Sequence, residues 1–389
     1  MSPPASTRTK RRLFGLVFLL WVLPGVQAKL NMKIFRPSLE GFEVKEPRPT
    51  FSWAGLLAGT YPSAMEHFAT QKIGFREWFV RPRNQLAFSL FGTVNNPEIT
   101  VGKNGQLFQR GVIEAFRGHM RQVPEAEVAR RVQLLRALQD SLARRGKLLV
   151  FATAPGKASF APESLPDTAQ NGWGNANNYT RYTQAMRAAG VNLLDFGAAF
   201  RAWKGRSPYP LFPPGGTHWS GYGLTRAADT LFRYLEQRGG FRLPAVRQTG
   251  LELSTTPRYT DNDLTRLLNL LWEPPIPPLA YPELAFDPPH PGQKQPRLLL
   301  VADSFGWSFI EFYPYLQHVF APESHFWYYN HEVVWPKPAQ PTLVADLDLR
   351  YQLAAHDVVL LLFTEHNIID FDRDFSSKAL AALASGTSR

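Results

Sequence analysis

Two short segments carry residue types that together could move an acyl group. In Leu298-Leu-Leu-Val-Ala-Asp-Ser-Phe305 an apolar run ends in a small residue, then Asp303, then Ser304, just ahead of a predicted helix. A serine so placed presents its hydroxyl at a strand end, beside helix N-terminal amides that can stabilise an oxyanion. Asp303 and Phe305 frame this nucleophile turn. The same Asp–Ser pair also suits a plain helix cap. The second segment is Pro213-Pro-Gly-Gly-Thr-His-Trp-Ser-Gly-Tyr222. A neutral hydroxyl is a poor nucleophile unaided, and His218 supplies the type of general base it needs. Alone, a histidine beside Trp219 reads more readily as a hydrogen-bonded packing residue. Both segments are polar punctuation at the rim of one predicted sheet, and that pairing points to Ser–His chemistry.

The elements around them must hold that rim. The clearest helix spans 125–145, where Val128, Val132, Leu135, Leu138 and Leu142 recur at steps of four and three. Pro124 opens it and Gly146 follows it, the usual asymmetry of helix ends. The run 147–153 then reads as a strand buried on both faces. The alternation repeats: helix 178–189, strand 191–196, helix 220–238, strand 297–302, helix 307–318, strand 325–329, strand 356–363 and helix 375–384. This predicts an α/β fold, a three-layer α/β/α sandwich on a mainly parallel sheet. In such sheets ligands bind where strand C-terminal ends give way to loops. Asn104-Gly105, between two short apolar stretches in 99–108, signals a hairpin. The span 74–90 has apolar residues at helical spacing, interrupted by Pro82. Residues 240–295 are Pro-rich and read as an irregular insertion.

The 389 residues, 44% of them hydrophobic, suffice for a large core. With no cysteine, disulfides, thiolate metal sites and a cysteine nucleophile are excluded. No P-loop or dinucleotide fingerprint follows a strand, and no metal-ligand spacing occurs, so neither cofactor nor metal is indicated. Formal net charge is +11 and pI about 9.8. That balance suits an anionic partner, or a merely soluble surface; no nucleic-acid motif accompanies it, and nucleic acid is not the expected partner. Arg8, Lys10, Arg11 and Arg12 precede the apolar run 13–26, and Val26-Gln27-Ala28 resembles a cleavage site. Residues 1–28 therefore read as a signal peptide or signal anchor, and the protein as exported, periplasmic or in the cell envelope. An uncleaved segment would touch the membrane. Residues 29–70 read as an extended N-terminal segment.

Taken together, Gly216-Thr-His-Trp-Ser and Val301-Ala-Asp-Ser-Phe resemble the periplasmic alginate O-acetyltransferases of the SGNH (GDSL-like) hydrolase superfamily. Val101-Gly-Lys-Asn-Gly-Gln-Leu-Phe108, Ala154-Pro155-Gly156-Lys157 and Thr364-Glu365 resemble further elements of that family, in register over about 70–370. The resemblance implies an SGNH-like acetyltransferase domain over 71–389, with Ser304 as acetyl-accepting nucleophile and His218 as its base. It implies a polysaccharide substrate, and a membrane-bound O-acyltransferase as the partner that supplies acetyl groups. Lys157, Trp219 and Tyr329 are expected to bind substrate. One departure is plain: the family has an acid two residues before the histidine, where this chain has Gly216. The remaining options are a Ser–His dyad, an acid from elsewhere such as Glu365, or a lost activity. Two other readings stand beside acetyl transfer: a carbohydrate esterase of the same fold, and a non-catalytic polysaccharide-binding scaffold.

Overall fold

Strands Leu148–Ala154, Leu298–Ala302 and Val358–Thr364 are almost wholly apolar and buried on both faces, and they form the centre of one sheet. The computed structural model describes residues 5–30, 38–41, 47–169 and 176–385. These fall into two units, one of residues up to 96 with 266–273, the other of 97–265 and 274 onwards.

In the larger unit the strands are, in chain order, β1 (Ile99–Val101), β2 (Leu107–Gln109), β3 (Leu148–Ala154), β4 (Leu193–Asp195), β5 (Val246–Ser254), β6 (Leu279–Phe286), β7 (Leu298–Ala302), β8 (His325–Tyr328), β9 (Glu332–Trp335), β10 (Thr342–Leu343) and β11 (Val358–Thr364). The central sheet runs β10-β9-β8-β7-β11-β3-β4. The five strands from β8 to β4 are parallel, while β9 and β10 add an antiparallel edge. Alternate side chains serve opposite faces. Val150, Leu300 and Leu360 pack with helices Phe196–Trp203 and Gly221–Gly239. Leu149, Val301 and Leu361 pack with helices Glu125–Ala143, Asn178–Ala188 and Phe375–Ala384. The predicted three-layer α/β/α sandwich is the observed fold. In register, Thr364 lies opposite Ala154, and Leu362 opposite Ala302, so the loops carrying Lys157, Ser304 and Glu365 leave the same sheet edge.

Three expectations need correction. The helix expected over 307–318 is a 3₁₀ turn, Ser304–Phe309, followed by a separate short helix, Tyr315–Val319. Pro314 lies between them, and the residue before a proline is pushed out of the α region. The insertion 240–295 is not irregular throughout: β5 and β6 form an antiparallel ribbon, and helix Asp263–Leu267 lies between them. A register shift between Gln248 and Gly250 breaks the period of two and hides the strand in the sequence. Nor is 29–70 extended where it is described. Helix Trp53–Leu57 starts on Ser52, whose hydroxyl accepts the Gly55 amide at 3.0 Å, and helix Thr60–Lys72 follows. Pro62 sits in the first turn of the latter, where its missing N–H costs nothing. Residues 31–37 and 42–46 of that segment lie outside the described residues.

The smaller unit holds helix Ala5–Leu30, of which Thr7–Leu30 is long and apolar enough to cross a membrane. It also holds helix Arg76–Phe91.

Candidate active site

Ser304 lies one residue past the end of β7 and opens the 3₁₀ turn, with the intervening Asp303 as its cap. Asp303 is fully buried. Its Oδ1 accepts the Phe305 amide at 3.1 Å. Its Oδ2 accepts the Thr364 amide and hydroxyl, both at 2.7 Å, and the Asn367 side-chain amide at 2.9 Å. Asp303 thereby ties the nucleophile turn to the end of β11. The Phe305 amide is consumed by this cap; what Phe305 brings to the site is its ring, 4.6 Å from the His218 ring centre. The Ser304 amide, at the start of the turn, has no intrahelical acceptor and is the backbone donor suited to an oxyanion.

His218 Nε2 lies 2.9 Å from Ser304 Oγ. Its Nδ1 lies 2.6 Å from Asp263 Oδ2, and Asp263 Oδ1 accepts the Thr217 amide at 2.9 Å. Serine, histidine and carboxylate thus form one hydrogen-bonded chain, largely shielded from water: the His218 and Asp263 side chains are 11% and 17% exposed.

The sequence reading missed Asp263, and Gly216 explains why the acid comes from there. A Cβ on Gly216 would meet the carbonyl oxygens of Thr260 and Asp261 at 2.6 and 3.0 Å. The space for an acid at 216 is filled by the backbone of 260–261. That same segment carries Asp263, and it is fastened by the Leu264 and Thr265 amides, which both donate to the Gly215 carbonyl at 3.0 Å. The cue available in the sequence was Asp261-Asn262-Asp263, a short acidic turn inside the Pro-rich stretch.

Glu365, expected as a candidate third member, is elsewhere. It is buried, with Arg201 Nη1 at 3.4 Å, and burial raises its pKa to about 7. Below pH 7 the folded carboxyl therefore holds a proton that the unfolded one, at an ordinary 4.5, gives up. The native state binds more protons across this window, so stability falls as pH rises through it. Glu365→Gln is expected to flatten that slope by on the order of 2 kcal/mol between pH 5 and 7.5, read from denaturant melts at both pH values. Parallel curves for both proteins would refute it.

Lys157 is not placed to bind substrate. It is 1% exposed, and its ammonium donates to the carbonyls of Pro213, Pro214 and Gly216 at 2.7, 2.8 and 2.8 Å. Burial lowers its pKa to about 7, with Asp263 pulling the other way. It clamps the loop that carries His218. Lys157→Met should cost about 3 kcal/mol of stability, because three buried carbonyls lose their donor; an unchanged melting midpoint would remove the clamp. Trp219, also expected to touch substrate, is fully buried and donates to Ser308 Oγ at 2.9 Å. Residue type suggested substrate binding at both positions, by charge at Lys157 and by stacking at Trp219; burial overrides it. Tyr329 differs, being partly exposed at the end of β8. Its hydroxyl accepts from Asn367 at 3.2 Å, Arg373 stacks over its ring at 4.8 Å, and it lines a cleft of about 810 Å³ with Arg131 and Asn330. Among the described residues no group of three or more His, Cys, Asp or Glu is gathered for a metal.

Comparison with known proteins gives three findings. A family model described as an SGNH hydrolase-like domain, acetyltransferase AlgX, matches residues 77–323, more than half of the chain and a span that includes His218, Asp263 and Ser304. The probable alginate O-acetylase AlgJ of Pseudomonas aeruginosa is 28% identical over 210 residues, 54% of this chain and 49% of that protein; the chain spans about half the length of this relative. Among solved structures, the O-acetyltransferase domain of Pseudomonas putida AlgJ is 22% identical at a TM-score of 0.45, covering 76% of this chain and 100% of that one. Pseudomonas aeruginosa AlgX is 16% identical at 0.49, covering 78% and 72%.

Proposed function

The chain belongs to the AlgX-type acetyltransferase family with an SGNH hydrolase-like domain, and from that membership and its site we infer that it is an O-acetyltransferase working through an acetyl-serine. The observation that carries this reading is the hydrogen-bonded chain from Ser304 through His218 to Asp263. His218 Nε2 takes the proton of Ser304 Oγ as that oxygen attacks the carbonyl carbon of an acetyl donor. Asp263 on Nδ1 fixes the ring tautomer and stabilises the imidazolium. The Ser304 amide stabilises the developing oxyanion. When the tetrahedral adduct collapses, the donor's leaving group departs with the proton from His218, and acetyl-Ser304 remains. A sugar hydroxyl then gives its proton to His218 and attacks the ester, and the proton returns to Ser304 as the acetylated sugar leaves.

The acceptor we propose is an exported polysaccharide, alginate-like in view of the AlgJ and AlgX relatives. The net charge of +11 favours an anionic one. The N-terminal apolar helix with its basic start supports export to the cell envelope, with that helix as signal or anchor. A membrane-bound O-acyltransferase is the partner proposed to deliver acetyl groups.

Intact-mass spectrometry after exposure to a small activated acetyl ester tests the chemistry. The expected result is a gain of about 42 Da, mapped to Ser304, that discharges faster with an acetyl-free oligosaccharide than with water alone. Discharge at one rate in both conditions would favour esterase action. No adduct and no ester turnover would overturn the enzyme reading.

A further inference from the structure

Helix Arg76–Phe91 turns its polar side inward and its apolar side out. Arg81 and Asn84 donate to the carbonyls of Leu270 and Leu268 at 3.0 and 2.8 Å, and Gln85 accepts the Leu271 amide at 3.1 Å. Meanwhile Phe79, Leu86 and Leu90, which share one helix face, are 57%, 58% and 67% exposed, with Trp78 and Phe91 exposed beside them. Arg83 is also exposed on that face, and its long stem lets the charge reach a headgroup layer; exposed apolar side chains gathered on one helix face mark an interaction surface.

The neighbouring helix says what covers it. Thr7–Leu30 has the length and hydropathy of a membrane span, with Arg8, Lys10, Arg11 and Arg12 at its start. Near its other end the Phe75 amide donates to Gln27 Oε1 at 3.0 Å, and Gly74 lies so close to the Pro24 carbonyl that no Cβ would fit. The outward-facing helix therefore begins beside the last turns of the candidate span. In a span with its basic end on the cytoplasmic side, those turns lie at the opposite headgroup layer. The composition suits that layer: Trp78 is an interfacial anchor, and Arg76, Arg81 and Arg83 outnumber Glu77.

We propose that helix Arg76–Phe91 lies in the bilayer interface, with Phe79, Leu86 and Leu90 in the acyl region, as a second membrane contact beside the N-terminal helix. The cysteine-free chain makes the test direct. Full-length protein carrying Phe79→Cys, Leu86→Cys or Leu90→Cys, each labelled with a small fluorophore, is reconstituted into phosphatidylethanolamine–phosphatidylglycerol vesicles. Arg233→Cys, at an exposed site in the larger unit, is the aqueous reference. Acyl-chain nitroxide lipids should lower emission by about half or more at 79, 86 and 90, with little effect of aqueous iodide, and the pattern should reverse at 233. Iodide quenching at 79, 86 and 90 equal to that at 233 would put the face in water and overturn the proposal. Shielding from both quenchers would show a protein surface, here a second copy, and overturn it too. The substitutions sit on exposed side chains, so the fold is not at stake.

Discussion

Ser304→Ala is expected to lose acetyl transfer by on the order of 10⁴-fold or more, with no acetyl adduct, while the protein melts as before. The hydroxyl is the atom to which the acetyl group bonds in the proposed cycle; without it, only oxyanion stabilisation and substrate positioning remain to speed direct attack. The fold should not notice. The Ser304 side chain bonds His218, and the turn is held by Asp303 through Thr364, Asn367 and Phe305. A stability change within about 0.5 kcal/mol is the expectation for such a rim residue. Initial rates with an oligosaccharide acceptor, alongside a thermal melt, decide it. A folded variant that still transfers acetyl would remove Ser304 from the chemistry.

Asp263→Asn should be nearly as damaging, on the order of 10³- to 10⁴-fold in kcat, although it changes little in shape. Asp263 Oδ2 sits 2.6 Å from His218 Nδ1 and requires a proton on that nitrogen, which leaves Nε2 free to take the serine proton. An asparagine nitrogen in that place donates instead. Nδ1 then becomes the acceptor, the proton moves to Nε2, and the ring can no longer act as base toward Ser304. The asparagine oxygen can still accept the Thr217 amide, as Oδ1 does at 2.9 Å. The loss should therefore fall on kcat and not on the melting midpoint. Retention of activity within tenfold would show that the carboxylate orients the loop without serving the base.

Much of the fold is legible in the sequence where burial is two-sided. The apolar runs 147–153, 297–302 and 356–363 have no polar face and match β3, β7 and β11 within two residues. Ser304 and His218 stand out because polar residues interrupt apolar pattern at strand ends. Asp263 does not, since His218 lies 45 residues away along the chain and their pairing is decided by two backbones packing at Gly215 and Gly216. Lys157 and Trp219 show a related limit: residue type indicates what a side chain can do, while burial decides which of those things it does. Helix Arg76–Phe91 shows another, because a period of 3.6 locates an apolar face without saying whether core, water or lipid lies against it.

The packing at Gly216 also constrains how such a site can change over generations. An acid at 216 needs the room that the 260–261 backbone occupies, whereas an acid at 263 needs that backbone where it is. The two solutions exclude each other in one molecule. Gly216→Asp made in this chain would push the 260–265 segment away and take Asp263 with it, so it could not compensate for loss of Asp263. A lineage passing between the two arrangements has no neutral single-residue step; it must rebuild a loop and relocate a carboxylate together. The position of the acid and the path of the 260–265 backbone are thus coupled traits in this chain: moving either one alone forfeits the carboxylate beside His218.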